Sequence, residues 1–254
     1  MKTRNIHEEL YQALLAGDEP RARALMAEGA DINAIGEDNI FIPTDILDTP
    51  SDAPARLALR LGADPLKEKF KDEAYNMIYY MLQNGHFQLL LECIDSGAVD
   101  VNVTNSRGTT PLMWCCAITC SEWLTSELLK RGASATKEDH DGVNAFGYSL
   151  DEVMCYSEHY EQLLNAGADI NSRDEYGRTA LMVYAHGQNE CPDFIEFFLK
   201  RGADVNLRSP EGKTALGYAQ KALGISRRGL TSLIRSEAWI LHMIELLKAY
   251  GAQL

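Results

Sequence analysis

The chain has 254 residues, 46% hydrophobic and 24% charged, with 24 Lys and Arg against 37 Asp and Glu for a formal charge of −13. That composition excludes a disordered or fibrous chain and supplies enough apolar material for one or two compact domains. The acid excess argues against nucleic acid and against an anionic membrane, both of which need clustered Lys and Arg, so a charged partner is expected to be basic. The start, MKTRNIHEELYQALLAGDEP, holds His7, Glu8 and Glu9 where a signal peptide would be apolar. Runs such as MIYYML (77–82) fall far short of the ~18 apolar residues of a membrane span. The expected location is therefore the cytoplasm, with the six cysteines kept as reduced thiols.

Along the chain, the amphipathic stretch RARALMAE runs into Gly29-Ala30, and this pairing returns at Gly62, Gly97, Gly132, Gly167, Gly202 and Gly251, at intervals of 33, 35, 35, 35, 35 and 49 residues. The later stretches include QLLLECIDS, SELLKR, YEQLLNA, IEFFLKR and MIELLKAY. Apolar residues three and four apart predict a helix, and the glycine supplies its left-handed end. ADIN, VDVN or ADVN follows and is expected to be extended; a turn such as DEYG (174–177) or SPEG (209–212) then leads into Thr-Ala-Leu or Thr-Pro-Leu. Thr110 and Thr179 stand where a hydroxyl can cap the next helix, with Pro111 tolerated in its first turn. One such unit has no core of its own and must stack on its neighbours, which predicts a solenoid.

These features resemble the ankyrin-repeat family, whose pattern runs DxxGxTPLHxAA, then GH, then VVxLLLxxGADVN. The similarity covers nearly the whole chain. It is carried by NSRGTTPLMWCCA (105–117), DEYGRTALMVYA (174–185) with FFLKRGADVN, and SPEGKTALGYA (209–219). Gly85-His86 matches the GH loop, and Gly17-Asp18 stands the same twelve residues before its Gly-Ala. The resemblance implies an all-α ankyrin-repeat solenoid of about seven helix-turn-helix units with short β-hairpin-like turns, gently curved and forming a single domain over 1–254. The units are an N-terminal cap (1–35), a degenerate unit (36–68), 69–104, 105–138, 139–173, 174–208, and a C-terminal cap with an insertion (209–254).

Departures from the pattern carry expectations of their own. Met113, Gly147, Met182 and Gly217 occupy the His place of TPLH, so the inter-repeat hydrogen bonds made there must be lost or replaced. In the second unit Asn39 replaces the turn glycine, and Pro43, Pro50 and Pro54 predict irregular backbone over 39–55. The last interval is 14 residues longer than 35, around LGISRRGLTSLIRSEAW, through a longer first helix or a protruding loop. Arg227, Arg228 and Arg235 make that insertion basic, as a second contact or an internal counter-charge.

Chemistry finds little support. Cys115 and Cys116 fall where the family packs an Ala pair and read as small core hydrophobes. Cys120, Cys155 and Cys191 recur at 35 and 36 residues, but equivalent points of stacked helices lie about 8–10 Å apart, too far for one metal or a disulfide. His7 lacks the second His of HExxH; His140 and His186 read as surface contacts, and His159 and His242 lie in separate units without ligand spacing. GxSxG, GxxxxGK[ST] and GxGxxG after a strand are all missing, so no enzyme and no cofactor are expected. Trp114 is expected in the core, Trp123 is ambiguous, and Tyr176 at a turn tip is the favoured aromatic contact.

At the turns, Asp139 and Asp174 are expected to hold backbone amides, whereas Glu37, Asp38, Asp141, Glu175 and Glu211 occupy positions the fold leaves free and would form a dispersed acidic edge. In the family the partner is usually held by turn tips and the inner face of first helices. Carried to matching positions, this implicates Ser106, Arg107, Thr109, His140, Asp141, Val143, Asp151, Glu152, Glu175, Tyr176, Arg178, His186, Pro210, Glu211, Lys213 and Lys221, together with Glu37 and Asp38. The expected function is non-catalytic binding of a folded, basic partner through a concave face and turn tips, as an inhibitor or immunity-type protein, with no nucleic acid, no membrane and a free monomer. The alternatives are a general adaptor or scaffold, a metal- or redox-sensing protein using its cysteines, and a homo-oligomer.

Overall fold

The computed structural model describes residues 5–37, 39–69, 75–150, 157–186, 193–228 and 237–254. The chain divides into two compact units, Met1–Pro111 and Leu112–Leu254. Among the described residues, unit 1 holds three helix pairs: α1 (Ile6–Leu15) with α2 (Glu19–Ala27), α3 (Ile42–Asp45, continued by a 3₁₀ turn, Ile46–Asp48) with α4 (Asp52–Arg60), and α5 (Met77–Gln83) with α6 (Phe87–Asp95). Unit 2 contributes four among its described residues: α7 (Pro111–Ile118) with α8 (Glu122–Lys130), α9 (Ala145–Tyr148) with α10 (Ser157–Asn165), α11 (Ala180–Ala185) with α12 (Asp193–Lys200), and α13 (Ala215–Arg227) with α14 (Glu237–Ala249). Among the described residues there is no β-strand; isolated antiparallel bridges, Ile35 with Phe41, Glu138 with Asn144 and Arg173 with Thr179, close the hairpin-like turns.

Short helices of this kind are marginal alone and depend on their ends. Asn5, Asp18, Ser51, Asn76, Ser121, Asn144 and Thr214 each accept a backbone N–H of the first turn, at about 1 kcal/mol per cap. At the other end, Gly29, Gly62, Gly132, Gly167 and Gly202 take φ between +87 and +111. The alanine after each donates to a carbonyl five residues back, as Ala30 does to Leu25, Ala133 to Leu128 and Ala203 to Phe198. The glycine supplies the left-handed residue and the small alanine, buried in every case, closes the bond. That is the physical content of the recurring Gly-Ala.

The ADIN and ADVN segments are turns, not the extended segments expected. Asp31, Asp64, Asp169 and Asp204 each accept the backbone N–H two residues on, because a short carboxylate can fold back on its own backbone. The asparagines then stitch repeats together: Asn33 donates to Gly62 O and accepts from Asp64 N, Asn171 accepts from Asp204 N, and Asn206 donates to Gly251 O and accepts from Gln253 N. Inter-repeat hydrogen bonding is thus carried by this Asn ladder. In unit 1 it is joined at the GH loop by His86, whose Nε2 pairs with Leu47 O at 2.9 Å and whose Nδ1 lies 2.5 Å from Asp52 Oδ1.

At the place of the missing histidine, the two glycines differ. A β-carbon on Gly147 would stand 2.2 Å from Arg173 O, whereas one on Gly217 would find nothing nearer than 3.7 Å. Gly147 therefore lets the next turn approach; Gly217 has no such neighbour.

The prolines of the second repeat do not break its helices. Pro43 lies in the first turn of α3 and Pro54 in that of α4, where the missing N–H has no intrahelical partner to lose. Irregular backbone is confined to the turn before α3, with Asn39 at φ +66, and to the 3₁₀ turn and bend around Pro50. Thr179 does not cap α11 through its side chain: its carbonyl accepts from Met182 N and Val183 N, and its Oγ1 is buried without a partner. Part of the longer last interval goes into the first helix, since α13 has 13 residues where α11 has 6, and residues 229–236 lie outside the described residues. Arg227 at its end pairs with Glu237 at 2.7 Å, while Arg235 lies outside the described residues.

Cys93, Cys115 and Cys116 are buried free thiols, as core hydrophobes should be. Cys120 is disulfide-bonded, which overturns the reading of six reduced thiols. The separate expectation from helix-to-helix spacing does not bind it either, because Cys120 is a loop residue between α7 and α8 at φ +41. Trp114 is half-buried rather than in the core, and Trp123 is 51% exposed.

Candidate functional site

The turn tips of unit 2 are built by side chains folding back on the backbone. Asp139 Oδ1 accepts from Asp141 N and Val143 N, both at 2.9 Å, and Asp174 Oδ1 accepts from Tyr176 N at 3.0 Å and Arg178 N at 2.7 Å. Ser209 takes the same place in the next turn and accepts from Lys213 N. Asp174 is buried, and its second oxygen receives the Arg178 guanidinium at 2.7 Å, which compensates the desolvated charge. Arg173 and Arg208, 35 residues apart, each donate to the carbonyl of their own turn glycine, Gly177 and Gly212. With the loop fixed this way, the tip side chains are left pointing outward.

Two of these tips touch. A β-carbon on Gly177 would stand 2.6 Å from Pro210 Cγ, so the turn 174–177 lies directly on the turn 209–212. Tyr176 is 61% exposed there, with the Arg178 guanidinium 4.8 Å from its ring centre. Such a cation over a ring stiffens an aromatic that would otherwise lose entropy on binding. Lys213 forms an ion pair with Glu211 at 2.5 Å. Hydrogen bonding from Lys213, helped by the nearby Lys213, Lys221 and Arg178 charges, holds the Glu211 carboxyl below the usual carboxylate range. The same pair raises Lys213. Lys213 also stands 5.7 Å from the centre of the Tyr218 ring, which lies 6.1 Å from His186. Tyr218 is a buried platform under the site that the repeat pattern gives no reason to single out.

The expected contact residues divide clearly. His140, Asp141, Glu175, Tyr176, Pro210, Glu211 and Lys221 are exposed, and Arg178, His186 and Lys213 are half-buried. Val143 is buried and serves the turn by donating its N–H to Asp139, so it is not an available contact. In unit 1, Glu37, Ser106 and Arg107 are exposed, whereas Thr109 is buried with its N–H on Asn105 Oδ1. Asp38, Asp151 and Glu152 lie outside the described residues. The acidic edge is weaker than the sequence suggests: Glu211 is neutralised by Lys213, and the Arg178 guanidinium stands over the Tyr176 ring. Asp141 and Glu175 are exposed and make no ion pair among the described residues.

Among the described residues no group of three or more His, Cys, Asp or Glu side chains is arranged to hold a metal, and no helix is long and apolar enough to cross a membrane.

Comparison with known proteins gives a consistent result. The family model for ankyrin repeats (3 copies) matches residues 78–174, and that for ankyrin repeats (many copies) matches 163–219. The chain is 35% identical over 106 residues to mouse "Ankyrin repeat and SAM domain-containing protein 6", and 34% identical over the same length to its rat counterpart; each match covers 41% of this chain and 11% of the relative. It is 33% identical over 117 residues to "Ankyrin repeat, SAM and basic leucine zipper domain-containing protein 1" of Callithrix jacchus, covering 44% of this chain and 22% of that protein. The similarity thus spans about a tenth to a fifth of the length of these curated relatives.

Proposed function

The chain belongs to the ankyrin-repeat family, and on that premise we propose that it binds a folded protein with a basic surface through the hairpin tips of unit 2, without chemistry, as an inhibitor or masking protein. Ankyrin repeats make it a protein–protein interaction module; the choice of tips, the sign of the partner and the inhibitory role are our reading. The observation that carries it is Tyr176, 61% exposed on a hydrogen-bonded turn and braced by Arg178. A large aromatic on a rigid support is the kind of residue that concentrates binding energy. Asp141 and Glu175 supply charge that would speed encounter with a basic partner, and Glu37, Ser106 and Arg107 offer a separate set of contacts in unit 1. Expected contacts that remain part of the proposal are His140, His186, Pro210, Glu211, Lys213 and Lys221.

The test is photo-crosslinking from position 176 to capture the partner, followed by affinity measurement with the purified pair. Tyr176→Ala should weaken binding by about tenfold to a hundredfold. Asp141→Lys with Glu175→Lys should slow association and flatten its salt dependence. Binding indifferent both to salt and to these reversals would sink the basic-partner reading.

A further inference from the structure

Each unit has a cavity at the second helices, at one and the same place in the repeat, and the two are lined with opposite chemistry. In unit 2 it measures about 430 Å³ and is lined by Glu161, Leu164, Asn165, Asp169 and Arg201. Arg201, at the end of α12, reaches Glu161 of α10 at 2.5 Å and stands 3.7 Å from the centre of the Phe197 ring, so an ion pair spans the gap. In unit 1 the cavity measures about 480 Å³ and lies between α4 and α6. Its place is equivalent, since Arg56, Leu59, Arg60 and Pro65 stand at the same distances along the chain from Gly62 as Glu161, Leu164, Asn165 and Ile170 do from Gly167. The residue before the next glycine, however, is Ser96 instead of Arg201, too short to span anything. Four residues before that glycine stands Cys93, where the repeats of unit 2 carry Leu128, Leu163, Phe198 and Leu247. These two small side chains leave a hollow walled by Leu59, Ala63, Pro65 and Leu89. Charge differs as well: Arg56 and Arg60 face one carboxylate, Glu92, whereas in unit 2 Arg201 faces two, Glu161 and Asp169. Arg56 is engaged by Asp52 at 3.2 Å and by Glu92. Arg60 is held loosely: its side chain is 68% exposed, and the Glu19 carboxylate it meets at 3.3 Å has a closer partner in Arg23, at 2.7 Å.

We propose that the unit 1 cavity binds a small apolar carboxylic acid, its hydrocarbon body against Leu59, Pro65 and Leu89 and its carboxylate on the Arg60 guanidinium. The volume is that of a small-molecule site, and an apolar wall with one available cation at its edge selects this class of ligand. The hydrocarbon gains by leaving water, and a guanidinium edge offers a carboxylate two parallel N–H donors. In unit 2 the same molecule would have to displace Arg201 from Glu161 and would meet two carboxylates on the lining. The site uses none of the turn-tip residues, so it is a second binding function beside the one proposed above.

The experiment is calorimetric titration of the whole chain with decanoate, with decanol as the uncharged control. One decanoate per chain is expected, with Kd of about 100 µM or tighter, and decanol should bind about tenfold more weakly. Arg60→Ala should bring decanoate to the level of decanol and leave decanol unchanged. Cys93→Phe, which places in the cavity the residue unit 2 carries there, should abolish binding of both; if that variant fails to fold, Cys93→Leu should weaken both. Bound decanoate should also slow alkylation of Cys93 by iodoacetamide, read on the peptide that contains it. No saturation by about 1 mM decanoate would overturn the proposal and leave the cavity to a side chain of a protein partner. Equal affinity for decanol, or binding that survives both Cys93 variants unchanged, would overturn it too.

Discussion

Unit 1 is packed with aliphatic side chains, among them Leu14, Ile46, Met81 and Leu90, all fully buried. Unit 2 is packed around Tyr160, whose ring lies 5.2 to 5.6 Å from those of Phe146, Phe194 and Phe198 and whose hydroxyl donates to Ser149 O and pairs with Tyr184 Oη at 3.0 Å. Unit 2 also buries polar atoms without partners, His159 Nε2, Gln162 Oε1 and Thr179 Oγ1, where unit 1 has only His7 Nδ1 among the described residues. Charge divides the other way: by sequence, residues 1–111 carry −8 and residues 112–254 carry −5. The same repeat frame thus tolerates two kinds of core. The aromatic, polar one gains directional contacts, and its fully buried His159 makes it sensitive to pH.

The largest test of that contrast is Tyr160→Ala, which should cost about 4 kcal/mol and do so locally. Hydrogen-exchange protection of α10 and α12 should fall while that of α4 and α6 holds. Equal loss in both units would show that the aromatic cluster is not specific to unit 2.

Acid is the next largest. His159 is fully buried, with only Thr125 Oγ1 near its Nδ1 at 3.4 Å, and burial lowers it from 6.5 to about 4. The unfolded chain therefore binds a proton that the folded unit refuses. Stability is complete above pH 6.5, declines as pH falls through the interval down to about 4, and is lower by about 3 kcal/mol below it. His159→Leu should flatten that decline in chemical denaturation measured across the range; an unchanged pH profile in the variant would remove His159 as its source.

The smallest effects separate two glycines at one register place. Gly147→Ala should destabilise by about 2 kcal/mol, since its β-carbon meets the fixed carbonyl of Arg173. Gly217→Ala, in the same place of a later repeat where a β-carbon meets only ordinary contacts at 3.7 Å and beyond, should stabilise by up to about 1 kcal/mol. Denaturant midpoints of the two variants should move in opposite directions.

Much of this frame is legible in the residues. Gly-Ala marks the end of the second helix of each repeat because glycine is comfortable in the left-handed turn, and Asp139 and Asp174 mark the tips because a short carboxylate reaches two amides. Tyr176 is readable as exposed because a tip has no core to fill. Other features depend on what stands across from a residue. Pro43 and Pro54 look like helix breakers until the helix start is placed; Thr179 and Thr214 look alike, yet Thr214 caps Gly217 N and donates to Gln253 O while the Thr179 hydroxyl has no partner. Glu211 looks free until Lys213 folds onto it.

The sequence by itself determined the repeat, its register and the ends of its helices, because those follow from the backbone preferences of single residues and from spacings along one chain. Tertiary structure decided which acids keep their charge, which hydroxyls and imidazoles are stranded in the core, and that Cys120 is bonded rather than free. Each of those depends on an atom brought within a few ångströms from a distant part of the chain, and no local pattern records such a neighbour.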